Sequence, residues 1–313
     1  MVELETKSKP KIAHVFPGQG SQSVGMGYKL YQSSPKAKEI FQEADEALQF
    51  SLSRLCFEGP EDELRQTINA QPAIMTVSIA CLRAASEVNH TVSPSFVAGH
   101  SLGEYTALVA ANVLGFTDAI RLVRERGRLM QKAGEIKPGG MAAIIGLDEA
   151  ALKEICRESG AEIANFNCSV QIVISGSTEA LERAMELAKA RDARRVIPLQ
   201  VSGAFHSTLM QPTIEGLSEA ISQINFRTPE IPIVVNSTAQ PVTTAEGVKD
   251  ELLRQLCNCV QWQPSIEYMV GEGISTFIEI GPGQVLSGLI KRISDKVRVL
   301  NMSDPESIKA LNL

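Results

Sequence analysis

No apolar run in the chain approaches the roughly 18 residues that a membrane span needs, so a membrane protein is not expected. Cysteine is equally uninformative as a scaffold. The six cysteines stand at 56, 81, 156, 168, 257 and 259, and only Cys257-Asn258-Cys259 is close-spaced. A C-x-C pair lacks the second ligand pair of a zinc site, so no metal is expected. Scattered thiols read as reduced, which points to the cytoplasm. The N-terminal MVELETKSKPK lacks the apolar segment of a secretory signal. Positive charge is short as well: a formal net charge of −6 argues against nucleic-acid binding, which needs a basic footprint. There is no internal repeat, no low-complexity tract and no heptad, so a monomer is the default. What remains is 313 residues, 44% apolar and 21% charged, enough for the core of a soluble enzyme with one large or two modest domains.

The order of elements narrows the fold. Ile12–Phe16 reads as a buried strand ending in the glycine-rich turn Gly18-Gln19-Gly20-Ser21-Gln22. Ser34 and Pro35 have the N-cap and N1 chemistry of a helix reaching about Gln49. Helices are also expected from about Pro72 to Glu87 and from Thr117 to about Lys132, with a strand at 95–99 between them. After Lys137-Pro138-Gly139-Gly140 the texture changes. Strand-like Met141–Gly146, helical Asp148–Glu158, two strands at Glu162–Phe166 and Gln171–Ser175, helical Thr178–Arg191 and strand-like Arg195–Gln200 give a βαββαβ order, the ferredoxin-like arrangement. The expectation is a small subdomain, 137–201, inserted into a large α/β domain formed by 1–136 and 202–313. In the second part, helices are expected from about Pro212, at Gly247–Asn258 and at Gln284–Ile293, with strands at Ile231–Asn236, Thr276–Ile280 and Val297–Leu300. Alternating strands and helices imply a mostly parallel sheet covered on both faces.

Gly99-His100-Ser101-Leu102-Gly103 lies between a short apolar strand and a helix, the setting of a G-x-S-x-G nucleophile elbow. The helix N-terminus then aims free N–H groups and partial positive charge at the serine oxygen. Ser101 needs a base, and there are four histidines. His14 reads as a core histidine within the first strand, and His90 as part of a solvated loop. His100 adjoins the nucleophile and props the elbow beside the substrate. His206, in a loop just after the insert, is left as the base. No acid stands out between Ser101 and His206 to orient the imidazole, and a backbone or amide carbonyl could replace it.

On a helical projection of 119–132, Arg126 falls in the middle of the apolar stripe formed by Ala119, Leu122, Val123, Leu129 and Met130. A buried guanidinium keeps its charge and must meet an anion. That anion is either a core carboxylate or the carboxylate of a substrate such as a malonyl group. The Gly18–Gln22 turn fails as a nucleotide loop, having neither the Walker lysine nor a complete G-x-G-x-x-G. It fits as the second half of an oxyanion hole, with N–H groups from Gln19 and Leu102.

These stretches, with QPAIMT (71–76), RGRLMQ (126–131), GGMAAI (139–144), NFN (165–167), GAFHS (203–207), NCVQW (258–262) and EIGPGQVLSGLIKR (279–292), resemble the malonyl-coenzyme A:acyl-carrier-protein transacylases of fatty-acid synthesis and the related acyltransferase domains of polyketide synthases. The resemblance spans nearly the whole chain. It implies an α/β-hydrolase-like domain with a ferredoxin-like insert and ping-pong transfer through a malonyl ester on Ser101. It further implies His206 as base, Arg126 on the malonyl carboxylate, and Gln19 and Leu102 at the oxyanion. Gln261 would orient His206 through a carbonyl. Phe205, before the histidine, would leave no room for an α-methyl group. No bound cofactor is implied; malonyl-coenzyme A is the substrate and phosphopantetheinylated acyl carrier protein the partner. Docking an acidic carrier needs a local basic patch, for which the candidates are Arg121, Arg124, Arg128 and Lys132; Lys291 and Arg292; or Arg191, Arg194 and Arg195. The runners-up are a trans-acting polyketide acyltransferase and a serine esterase or thioesterase. The esterase has no use for Arg126.

Overall fold

The computed structural model describes residues 10–88 and 93–311; His90 and most of the N-terminal segment discussed above lie outside them. In chain order, β1 (Lys11–Phe16) is followed by α1 (Tyr28–Ser33), α2 (Pro35–Leu48), α3 (Leu52–Glu58), α4 (Glu61–Arg65) and α5 (Thr67–Glu87). Next come β2 (Phe96–Gly99), α6 (Leu102–Ala110) and α7 (Phe116–Ile136). The middle section is β3 (Gly139–Ile145), α8 (Glu149–Ser159), β4 (Glu162–Cys168), β5 (Gln171–Ser177), α9 (Thr178–Ala190) and β6 (Arg195–Pro198). A 3₁₀ turn at Thr208–Thr213 leads into α10 (Ile214–Ser222), β7 (Ile233–Val234), β8 (Pro241–Val242) and α11 (Ala245–Gln255). The chain closes with α12 (Trp262–Gly271), β9 (Ile274–Ile280), α13 (Val285–Ile293), β10 (Arg298–Met302) and α14 (Pro305–Lys309).

The large sheet has the order β10-β9-β1-β2-β7-β8 and is parallel except for the short β7–β8 pair. It is a mixed α/β fold with a mostly parallel sheet, as expected. Buried β1 sits between β9 and β2, with Phe16 level with Gly99. The turns that follow β1 and β2 therefore leave the same sheet edge side by side. That edge, beyond the carboxyl ends of parallel strands, is where α/β sheets place their ligands.

The second sheet is antiparallel, in the order β4-β5-β3-β6. The period of two decides its packing. Ala142, Ile144, Ile172 and Ile174 point into a small core with Leu152, Ile155 and Leu181 of α8 and α9. Met141, Ala143, Ala164 and Val173 belong instead to the main core. The section is further tied on by β4, where Val260 N donates to Ala164 O at 2.8 Å and Phe166 N donates to Val260 O at 2.9 Å.

Most element ends lie within a few residues of the sequence reading, and the exceptions have local causes. Ser34 caps α2 as expected, its Oγ accepting from Ala37 N at 3.0 Å, with Pro35 at N1. Pro72 does not start a helix: α5 begins five residues earlier at Thr67 and carries the proline inside it. The strand expected over 231–236 pairs only at Ile233–Val234, because the next residues turn to serve the site described below. The helix expected to end at Asn258 ends at Gln255.

Candidate active site

Ser101 stands between β2 and α6 with φ 52° and ψ −105°. A non-glycine residue in that region is strained, and such strain clusters at functional sites. Close packing forces the turn. A Cβ on Gly103 would stand 2.0 Å from the Phe16 carbonyl oxygen, and one on Gly18 would stand 2.4 Å from the His100 carbonyl oxygen. The elbow and the turn after β1 are thus pressed together, so the Gln19 and Leu102 amides sit on adjoining turns. Among the described residues neither amide donates to a protein acceptor.

His206 is brought to the serine, as the sequence suggested. Its Nδ1 lies 2.8 Å from the main-chain oxygen of Gln255. A carbonyl can only accept, so Nδ1 carries the proton and Nε2 is bare. Nε2 lies 2.8 Å from Ser101 Oγ and accepts from it. His206 also holds a positive φ of 56°. Burial, then the charge of Arg126, pushes its pKa from 6.5 down to about 3.

The orienting carbonyl corrects the sequence reading, which gave that role to Gln261. The last carbonyls of a helix have no intrahelical partner, and α11 ends at Gln255, so its free oxygen faces the imidazole. Gln261 is committed elsewhere: its N–H donates to Asn236 O at 2.8 Å, and its carbonyl accepts from Ser265 N at 3.0 Å and Ser265 Oγ at 2.7 Å.

Arg126, on α7, is 1% exposed. Its Nη1 donates to Gln71 Oε1 at 2.6 Å; Nη2 donates to Gln255 Oε1 at 2.9 Å and to Ser101 Oγ at 3.2 Å. Its guanidinium lies 5.1 Å from the centre of the Tyr105 ring, and Nε has no partner among the described residues. Every hydrogen bond of this cation goes to a neutral oxygen, so its charge remains available to an anion. Gln255 joins the constellation: its Nε2 donates to Ser101 O at 3.0 Å, so one residue touches the serine, the arginine and the histidine.

Asn236, just past β7, fixes the elbow itself. Its Oδ1 accepts from Ser101 N at 2.7 Å and its Nδ2 donates to Gly99 O at 2.6 Å. Sequence reasoning missed Asn236, Gln255 and Gln71; an asparagine at the carboxyl end of a parallel strand was the one available signal. His100 turns its ring toward Asn167 and Trp262. Nε2 donates to Asn167 Oδ1 at 2.9 Å, and the ring meets Trp262 edge-on at 5.6 Å. His14 is buried in β1. Phe205 is buried in the main core, its ring beside Gly203. A cleft of about 300 Å³ opens beside the β1 turn, lined by Gln19, Gln22, Arg65 and Gln200 among others.

Among the described residues, no three His, Cys, Asp or Glu side chains are grouped to hold a metal ion, and no helix is long and apolar enough to cross a membrane.

Comparison with known proteins is consistent across sequence and structure. The family described as acyl transferase domain matches residues 13–309. The malonyl CoA-acyl carrier protein transacylase of Bacillus subtilis (strain 168) is 48% identical over 304 residues, covering 96% of this chain and 95% of that protein. The crystal structure of acyl-carrier-protein-S-malonyltransferase from Bartonella henselae superposes with a TM-score of 0.93 at 42% identity, covering 96% of this chain and 98% of that one. A malonyl-transacylase solved in complex with its type II PKS acyl-carrier protein has a TM-score of 0.93 at 41% identity, with the same coverage. The chain belongs to the acyl transferase domain family.

Proposed function

We propose that the chain transfers a malonyl group from malonyl-coenzyme A to the phosphopantetheine thiol of acyl carrier protein, through a malonyl ester on Ser101. The observation that carries this reading is the placement of Arg126. Its Nη2 stands 3.2 Å from the serine oxygen, and all its partners are neutral. A carboxylate one methylene away from a thioester carbonyl meets the guanidinium as Oγ meets the carbonyl carbon. The names of the relatives point to the same substrate.

The chemistry follows from the hydrogen bonds. His206 Nε2 takes the Ser101 proton as Oγ bonds to the thioester carbon. The Gln19 and Leu102 amides receive the oxyanion. The tetrahedral intermediate collapses, the C–S bond breaks, and the coenzyme A sulfur leaves with the proton held by His206. The carrier thiol then gives its proton to His206 and attacks the ester, and Ser101 leaves with that proton. Gln255 O holds the imidazole in the required tautomer and accepts from its Nδ1–H while the ring is charged. Phe205, next to His206, restricts the acyl group at its α-carbon and favours malonyl over methylmalonyl.

We read the large sheet with its elbow as α/β-hydrolase-like, and the insert, 137–201, as a ferredoxin-like subdomain. The latter is supported by its βαββαβ order and antiparallel strand sequence. For the carrier protein, the best supported surface combines Arg194 and Arg195 of one candidate patch with Arg292 of another. These side chains share a cleft of about 320 Å³, whereas Arg128 pairs with Glu125 and Arg191 with Glu154 and Glu158.

Intact-mass analysis after mixing with malonyl-coenzyme A tests the reading. A malonyl adduct forms, moves to holo carrier protein and is absent from Ser101→Ala. Arg126→Ala lowers the malonylation rate by about 10²-fold or more and acetylation far less. Equal losses for both acyl groups would remove the carboxylate clamp from the mechanism.

A further inference from the structure

Glu104 lies three residues past Ser101 on α6 and is fully buried. Its Oε2 accepts from Asn236 N at 2.6 Å, while Oε1 is buried with no partner among the described residues. Glu251, on α11 one turn before Gln255, takes the next amide: Oε1 accepts from Ser237 N at 2.8 Å and Oε2 from the Ser237 hydroxyl. Two carboxyl groups from two helices therefore hold consecutive N–H groups of one turn. The side chain of Asn236 in that turn holds Ser101 N and Gly99 O.

The charge balance of this cluster distinguishes the two acids. The ionisable groups facing them are Tyr105 on α6, Arg126 on α7 and Arg254 on α11. Two buried carboxylates side by side cannot both ionise cheaply, and such a pair titrates as a unit. Glu251 has the better anion site, with two donors and the charge of Arg254. Glu104 has one donor and an orphaned oxygen, an arrangement that disfavours a full charge. Arg126 lies near enough to feel Glu104, yet the hydrogen bonds that it makes go to Gln71, Gln255 and Ser101 and none to Glu104.

We propose that Glu104 and Glu251 form a one-proton acid pair that fixes the 236–237 turn under the elbow, with Glu104 the protonated member. Burial and the neighbouring Glu251 hold Glu104 well above the usual carboxylate range. A neutral Glu104 positions Asn236 without quenching Arg126, so the guanidinium charge waits for the acyl carboxylate. The inference rests on the reading of Arg126 as the carboxylate clamp.

Infrared difference spectroscopy of the full chain, wild type minus Glu104→Gln, tests the proton directly. A carboxylic-acid carbonyl band is expected, and a carboxylate band in its place overturns the assignment. Kinetics test the positioning. Glu104→Ala lowers kcat about tenfold for malonyl and acetyl thioesters alike, through a displaced elbow. Glu104→Gln, which keeps the acceptor for Asn236 N without a charge, recovers most of that loss. A malonyl-coenzyme A KM that falls tenfold in Glu104→Gln would mean that Glu104 is an anion competing for Arg126, and would overturn the proposal. If Arg126→Ala retains malonyl selectivity, the clamp reading fails, while the infrared difference still reports the state of Glu104.

Discussion

At the scale of residues, the proposed mechanism needs one base kept neutral and one cation kept free. Burial and Arg126 push His206 down to about 3, so the imidazole stays unprotonated, and competent as a base, as pH falls through the ordinary histidine value of 6.5. The single-turnover kcat/KM for malonylation should therefore show no inflection near 6.5. Once a malonyl carboxylate offsets the Arg126 charge, the His206 pKa rises, so the acid limb of kcat lies at higher pH than that of kcat/KM. An inflection at 6.5 in kcat/KM would sink this account. Ser101, His206 and Arg126 were legible in the sequence because each violates a local rule: a serine in a glycine elbow, a histidine left over, an arginine in an apolar stripe. Gln255, Gln71 and Asn236 violate none. Amides are at home on helices and at strand ends, and Gln255 serves His206 through a main-chain oxygen whose availability depends on where α11 stops.

At the scale of elements, helix starts were legible where their caps were. Ser34 with Pro35 and Asp148 mark the starts of α2 and α8, and each side chain accepts from the third residue of its helix. Boundaries failed where tertiary contact overrode propensity. Pro72 lies inside α5, which packs along α7. That pairing sets the reach of Arg126, and it depends on close approach: a Cβ on Gly127 would stand 2.8 Å from Ile68 Cα and 2.9 Å from Thr67 O. Gly127→Ala should thus push the helices apart and cost about 1–3 kcal/mol in urea unfolding. It should also raise KM for malonyl-coenzyme A, since the next residue back is the clamp. Wild-type stability and KM in that variant would show that the helix contact is slack. β7 shows a different limit: with two paired residues it is too short to have a period, and its use lies in the turn that follows.

On the scale of the whole molecule, net charge was a poor guide and local charge a better one. An overall charge of −6 says nothing of the arginine cleft between the second sheet and α13. Reversing Arg195 and Arg292 together to Glu should raise KM for carrier protein by about tenfold or more at low salt, with a smaller effect at high salt. An unchanged KM would move the docking site elsewhere. The βαββαβ order was readable from sequence, yet its dependence on the rest was not, because alternate residues of β3 and β5 face different partners. That division has a consequence for cooperativity. Met141, Ala143 and Val173 help build the main core even though the section also has a small core of its own, so melting the section would strip apolar contacts from the main core and should couple the two. Native-state hydrogen exchange should find the amides of Ala143 and Val173 opening with the same free energy and the same denaturant dependence as those of β1. The change of texture after Lys137 would then be a seam in the order of elements along the chain, invisible to the unfolding protein.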